Sequence, residues 1–161
     1  MKKALGLLMA VVLAAGAVGC SVSISVSVSD RTDKTAEELM ESVLNSVQFP
    51  QTVELNDEDR IADELGIDLS LVEDHAIVQQ MLSVDVSEVI ILIAKDGEAV
   101  GELESVLEAR KESLINDFAF YPNQVASAEA TEVGSVKNVV YLICHEDAAV
   151  AVERLVDEAE N

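Results

Sequence analysis

Two strand-like runs that lie fifty positions apart constrain the fold more than any other feature. Val89–Ile93 and Val139–Ile143 consist of β-branched, aliphatic and aromatic residues, a composition typical of strands with little solvent exposure. Each run follows a second strand-like segment and precedes a helical pattern, so the unit strand–strand–helix occurs twice. Two such units predict an α+β fold, a two-layer sandwich whose four-stranded antiparallel sheet carries the helices on one face.

The correspondence between the halves continues into their helices. At the same spacing of fifty residues, Ala99 corresponds to Ala149, Val100 to Val150 and Val106 to Val156. The residues predicted to face inward on the last helix are Ala149, Val152, Leu155, Val156 and Ala159. Shared strand and helix patterning can produce such identities as readily as duplication, so both explanations stay open.

Helix-end signals define the segment that precedes the first unit. Thr35 and Glu38 have the spacing of a capping box at the start of a helix. Asn56 is expected to cap a second, short helix, and Gly66 to end it in the left-handed conformation. These N-terminal helices are expected to pack at an edge of the sheet or on its open face.

The helix that follows the first strand pair begins at Asp96-Gly97 and ends near a group of aromatic residues. Phe118, Phe120 and Tyr121 lie close together there. We interpret this group as a hydrophobic plug that closes the end of the helix; the alternative is a patch that binds a ligand or partner.

The N-terminus has the pattern of a secretory leader. A basic start, Met1–Lys3, precedes the short apolar segment Leu5–Val18, which is shorter than a membrane-spanning helix. Ala17, Val18, Gly19 and Cys20 then resemble the lipobox of bacterial lipoproteins, whose cysteine thiol receives a diacylglycerol. We predict a signal peptide over 1–19, lipid attachment and a tether over 20–34, and one α+β domain over 35–161; the alternative is an ordinary cleaved signal.

The charge of the chain limits its partners. Ten basic and 31 acidic residues give a net charge of −21, which disfavours nucleic acid and anionic headgroups because phosphates bind Lys and Arg. Membrane attachment therefore depends on acyl chains at Cys20, of which two or more anchor stably. Acylation of Cys20 leaves Cys144 as the second cysteine, so the core is expected to form without an intramolecular disulfide.

The alternating segment Ser21–Ser29 follows the predicted lipid attachment site directly. Serine alternates with valine or isoleucine along it, which is a strand pattern. Its position favours a tether, and an added edge strand is the alternative.

Few residues in the chain have the chemistry of an active site. Cys144 and His145 are adjacent at a strand end, where neighbouring side chains point to opposite faces, so they cannot form a nucleophile–base pair. His75 can approach Cys144 only through tertiary folding. The contiguous run Cys144–Asp147 lacks zinc-ligand spacing, and Asn56–Asp59 lacks that of an EF-hand. The sequence therefore predicts no catalytic residue, no metal ligand and no cofactor.

Several motifs resemble a known bacterial family, the domain of unknown function 4358. They are Ala62–Asp68, Val72–Asp74, Glu88–Lys111 and Val139–Ile143, and the resemblance covers roughly Thr35 to Ala159. Where this chain has His75 and Lys137-Asn138-Val139, the family commonly has tyrosine and a Gly-Asn-Tyr turn. The resemblance implies a small lipoprotein of the cell envelope, mostly of Gram-positive bacteria, and implies no activity.

These features predict a lipid-anchored module on the extracytoplasmic face of the cell membrane. We expect it to bind an envelope protein or serve the envelope structurally, without catalysis, because a well-patterned core accompanies few reactive residues. One alternative is a small-ligand or peptide binder that assists a transporter, which needs an apolar pocket. The other is an envelope enzyme with a carboxylate site, which needs a carboxylate pair in a cleft.

Overall fold

The computed structural model describes residues 31–81, 86–118 and 120–161. The predicted leader, Ala17 to Cys20 and the segment Ser21–Ser29 lie outside these ranges. The helices are α1 (Ala36–Leu44), α2 (Glu58–Leu65), α3 (Gly97–Ser113), α4 (Pro122–Glu129) and α5 (Ala148–Glu160). The strands are β1 (Thr52–Glu54), β2 (Val72–Gln80), β3 (Glu88–Ala94), β4 (Glu132–Val136) and β5 (Val139–Cys144).

One antiparallel sheet organises the described residues, in the strand order β1-β2-β3-β5-β4. The α+β class is confirmed, and the two predicted strand runs form the adjacent central strands β3 and β5. The prediction of four strands is wrong because β1 pairs with the end of β2, where Thr52 lies opposite Gln80. A strand of three residues is too short to show a recognisable alternation in the sequence. It could therefore be identified only from its pairing with β2 in the structure.

Helices cover both faces of the sheet, which corrects the predicted two-layer arrangement. Ile90 and Leu92 of β3 pack with residues of α2 and α3. Val89 and Ile91, which alternate with them, pack with residues of α1 and α5. Every residue of β3 and β5 is buried because each side chain, whichever way it points, meets a helical layer.

Chain connectivity explains why α3 and α5 lie on opposite faces. Strands β3 and β4 both run antiparallel to β5, so they are parallel to each other and the connection through α3 crosses over β5. Crossovers of this kind have a strongly preferred hand, which selects one face for α3. Helix α5 follows the last strand and has no such constraint, so it packs with α1 on the other face.

This separation limits the fifty-residue correspondence to the strands. Val89 and Val139 lie on the same face of the sheet, as a repeat requires. The helices differ, because the buried residues of α5 are Ala148, Ala151, Leu155 and Ala159. Two of the predicted inward positions are therefore wrong, because Ala149 is exposed and Val156 is partly exposed. The prediction for Val152 is confirmed in part, since its partly buried side chain packs against the core on the α1 face of the sheet.

The predicted helix ends are largely confirmed. Thr35 and Glu38 form the reciprocal capping box of α1, and Gly66 ends α2 with φ of 69°. The predicted N-cap of α2 is wrong by one residue, since Asp57 accepts the Arg60 amide at 3.0 Å. A carboxylate at this position also faces the positive end of the helix, which favours Asp57 over the neutral Asn56.

Residues 31–34, which the sequence assigns to the tether, already contact the domain at one end of the sheet. Arg31 Nη1 donates to the Lys95 carbonyl at 2.9 Å, and the Thr32 amide donates to Asn138 Oδ1 at 2.8 Å. The buried Asn138 side chain also donates to the Ala94 carbonyl at 3.2 Å. The incoming chain is therefore attached where β3 ends and β5 begins.

Candidate functional site

The predicted lipid attachment site, Cys20 with Ala17, Val18 and Gly19, lies outside the described residues and stays a prediction. Within the described residues no helix is both long and apolar enough to span a membrane. The same ranges contain no group of three His, Cys, Asp or Glu residues that is able to hold a metal ion.

The cysteine and the histidines do not converge. Cys144 is fully buried in the layer beneath α3, and its thiol lies 3.7 Å from the Ser127 carbonyl. His75 lies opposite Leu92 of β3, whereas Cys144 lies opposite Glu88 at the other end of that strand. The fold therefore keeps His75 away from Cys144.

His145 connects two loops at the end of the sheet. Its Nδ1 accepts the Asp147 amide at 3.0 Å, and its Nε2 lies 3.3 Å from the Gln48 carbonyl. These partners correspond to a neutral ring with its proton on Nε2, because Nδ1 must accept and Nε2 must donate. The ring also packs against Phe49 at a centroid distance of 4.7 Å. Both nitrogens are thus engaged in holding structure.

The buried carboxylate of Glu88 was missed by the sequence reasoning. Its side chain is 1% exposed, and it accepts Gln79 Nε2 at 2.7 Å and Arg110 Nε at 2.9 Å. Arg110 Nη2 also donates to it, at 3.3 Å. This ion pair joins β3 to α3, and its carboxylate is paired with a cation rather than with a second acid in a cleft. A charged residue directly before the apolar run Val89–Ile93 was the available signal.

A groove of about 530 Å³ lies between α1 and the β1–β2 edge of the sheet; we call it the α1–β1 groove. Its apolar part comes from Met40 and Leu44 of α1 and from Ala76 and Val78 of β2. The polar residues that complete its lining include Glu37, Glu41, Asn45, Glu54, Asn56 and His75. With an apolar floor and so many polar residues around it, the groove suits a partner that has both apolar and charged groups.

The charge of the α1–β1 groove is uniformly negative. Glu37, Glu41 and Glu54 are exposed, and the lining includes no Lys or Arg. Among the ion pairs formed by the described residues, none involves these three glutamates. Asn56 Nδ2 donates to Glu54 at 3.2 Å, which leaves the carboxylate charge unbalanced. The groove therefore attracts a cation.

The outer edge of β1 borders this groove. The Leu55 amide donates to the Ile77 carbonyl at 2.9 Å, and the Met81 amide donates to the Gln51 carbonyl at 3.0 Å. Because backbone groups alternate in direction along an antiparallel strand, Thr52 and Glu54 direct theirs away from β2. An edge of this kind can pair with an additional strand.

A second depression, of about 410 Å³, lies between α1 and α5. Its lining includes both Arg154 and Glu158, which form an ion pair at 2.8 Å. Because this charge is partly balanced within the protein, the depression has less attraction for a charged partner than the α1–β1 groove.

Phe120 and Tyr121, two members of the aromatic group after α3, do not form the predicted hydrophobic plug. Phe120 is 77% exposed and Tyr121 is 58% exposed. Their backbone amides both donate to Gln124 Oε1 at 3.0 Å, which places them ahead of the unpredicted helix α4. The buried Gln124 side chain thus fixes the corner while the rings point outward.

Comparison with known proteins supplies a family match. A family model described as "Domain of unknown function (DUF4358)" matches residues 45–145, more than half of the chain. The matched range contains all five strands and α2 to α4, and it excludes α1 and α5. No curated protein and no solved structure matches the chain.

Proposed function

The chain belongs to the family of domain of unknown function 4358, and we propose that it is a lipid-anchored, non-catalytic module that binds a partner on the extracytoplasmic face of the cell membrane. The observation that carries partner binding is the α1–β1 groove, which combines an apolar floor, three exposed glutamates and a strand edge. The observation behind anchoring is the leader-like pattern over 1–19, which is followed directly by Cys20.

Several features support the non-catalytic part of the proposal. The chemically reactive side chains have structural roles: Cys144 packs in the core, both nitrogens of His145 hold loops, and Glu88 is paired with Arg110. The acids of the groove differ from a general acid–base pair, because they are exposed rather than buried in a cleft. Their arrangement suits electrostatic attraction of a partner.

The way the chain enters the domain supports a tethered arrangement. Arg31 and Thr32 are held at the end of the sheet where β3 ends, so the folded part begins shortly after the proposed lipid. Acyl chains are needed for attachment, because a net charge of −21 is repelled by anionic headgroups.

Acylation is tested by metabolic labelling with a palmitate analogue in a bacterium that expresses the full chain. We expect the label on the wild-type chain and its loss in Cys20→Ser. Cys144→Ser is the matched control and keeps the label, because the second cysteine is buried in the core. An unlabelled wild-type chain, or label that persists in Cys20→Ser, contradicts lipid anchoring at Cys20.

Partner binding is tested in the same cells with a photo-crosslinking amino acid at Asn56, an exposed residue that lines the groove and not the depression between α1 and α5. The matched control places it at Glu108, an exposed position on α3. We expect a discrete crosslinked product from Asn56 that is absent from Glu108. Equal products from both positions, or none from Asn56, contradict a binding role for the groove.

A further inference from the structure

We propose that the α1–β1 groove binds an extended, basic segment of a partner protein, which adds to the sheet as a strand beside β1. This inference rests on the proposed partner-binding function and specifies the chemistry of the partner. The segment has Lys or Arg residues that alternate with apolar residues, so that its cations reach the glutamates of the groove while the backbone pairs with the edge.

Charge complementarity indicates that the partner segment is positively charged. Glu37 and Glu41 lie one helical turn apart on α1, and Glu54 lies across the groove on β1. The groove lining includes no basic side chain. The two basic residues nearest to α1 in sequence, Arg31 and Lys34, are paired with Glu73 and Glu158. A cationic segment therefore meets three carboxylates that no ion pair within the described residues neutralises.

The outer edge of β1 identifies the conformation of the partner. Thr52 and Glu54 direct their backbone amides and carbonyls away from β2, as the bonds of Leu55 and Gln51 to that strand require. Strand addition satisfies such groups through main-chain hydrogen bonds, and pockets for alternate side chains then give specificity. Among the described residues β1 pairs with β2 alone, so its outer edge can accept this pairing.

The floor of the groove accounts for the alternation in the proposed segment. Glu54 lies directly opposite Val78 in the β1–β2 register, and both line the groove together with Met40 and Leu44. A strand added next to β1 directs every second side chain to this face of the sheet. Long basic side chains suit it, because their alkyl stems cover apolar surface while the charged group reaches a carboxylate.

The test uses the full-length chain, purified in a mild detergent, and a fluorescein-labelled peptide of alternating Lys and Val. Binding is measured by fluorescence anisotropy at about 150 mM salt, where long-range attraction is screened. Two further peptides serve as controls: one with Glu in place of Lys, and one methylated on alternate backbone amides. We expect both control peptides to bind at least about ten-fold more weakly, because one reverses the charge and the other removes strand pairing.

Matched variants separate the groove from the general acidity of the chain. One variant carries Glu37→Gln, Glu41→Gln and Glu54→Gln. The other carries Glu102→Gln, Glu108→Gln and Glu112→Gln, three exposed glutamates of α3 that lie outside the groove. We expect about ten-fold weaker binding for the groove variant and less than about two-fold for the α3 variant. Circular dichroism verifies that both variants are folded.

Equal losses for the two variants overturn the proposal, because they indicate diffuse attraction to an acidic surface. Unchanged binding of the methylated peptide overturns strand addition. A product of twice the chain mass from the crosslinker at Asn56 also overturns it, because the occupant is then a second copy. If the Lys–Val peptide fails while Asn56 still crosslinks to a different protein, the partner chemistry is wrong and the proposed function stands. Failure of the crosslink refutes the function itself.

Discussion

Replacing Arg110 with Met isolates the buried carboxylate of Glu88 and is expected to destabilise the domain by about 3–5 kcal/mol. The Glu88 side chain is 1% exposed and that of Arg110 is 14% exposed. Water can therefore replace few of the hydrogen bonds that Arg110 donates to the carboxylate. The substitution removes two donors, at 2.9 and 3.3 Å, and leaves only the neutral amide of Gln79 at 2.7 Å. The carboxylate then has no cation among the partners described for it.

The assay is equilibrium unfolding in urea, followed by far-ultraviolet circular dichroism. With a slope of about 2 kcal/mol per molar, the expected loss lowers the midpoint by about 2 M. Arg154→Met is the matched control, because its pair with Glu158 lies at the surface, with the Arg154 side chain 51% exposed. We expect that control to cost less than about 1 kcal/mol.

A double variant distinguishes the cost of an unpaired charge from the net contribution of the pair. Glu88→Leu combined with Arg110→Met removes both charges, and we expect it to be more stable than Arg110→Met alone because no buried carboxylate is left without a cation. If Arg110→Met unfolds at the same urea concentration as Arg154→Met, the reasoning about burial is refuted.

Three further predictions concern the entry of the chain, the aromatic corner and acid stability. Asn138→Ala removes a buried amide that bridges Ala94 and the incoming chain, so we expect a loss of about 2–4 kcal/mol in urea unfolding; an unchanged midpoint contradicts that bridging role. Phe120→Ser changes the free energy of unfolding by less than about 0.5 kcal/mol, because the ring is 77% exposed, and a larger loss in the same assay restores the plug interpretation. The hydrogen bond from Lys34 lowers the pKa of Glu158 below 4.5, so this carboxylate contributes stability above that pH and loses it as the pH falls through the lowered pKa. Thermal unfolding of Lys34→Met between pH 6 and pH 3 should therefore show a smaller acid loss than wild type, and equal slopes contradict the pairing.

The parts of the fold that the sequence predicted correctly depend on neighbouring residues. The capping box of Thr35 and Glu38 and the left-handed Gly66 require only the hydrogen bonds and backbone preferences of a few adjacent residues. The strands β3 and β5 were recognisable because β-branched residues favour a pleated, buried chain. Family membership was also predictable, because the matched motifs are local segments of these elements.

The two-layer prediction failed although its correction was partly present in the sequence. An unbroken apolar run, such as Val89–Ile93, has no polar side, so it requires cover on both faces of the sheet. Local sequence patterns do not indicate which helix packs on which face of the sheet. In the structure, Ala148 and Ala151 of α5 pack against the face opposite α3. Chain connectivity determines this arrangement.

The candidate site depends on tertiary structure in the same way. The α1–β1 groove brings Glu37 and Glu41 next to Glu54 and Val78, and no sequence spacing links a helix face to a strand that is recognisable only by its pairing. By itself, the sequence determined the acidity, the two central strands, most helix ends and the pattern of the leader, because these depend on composition and on neighbouring residues. Only the tertiary structure decided which acids share a groove and which carboxylate is buried, because those contacts join segments that are distant along the chain.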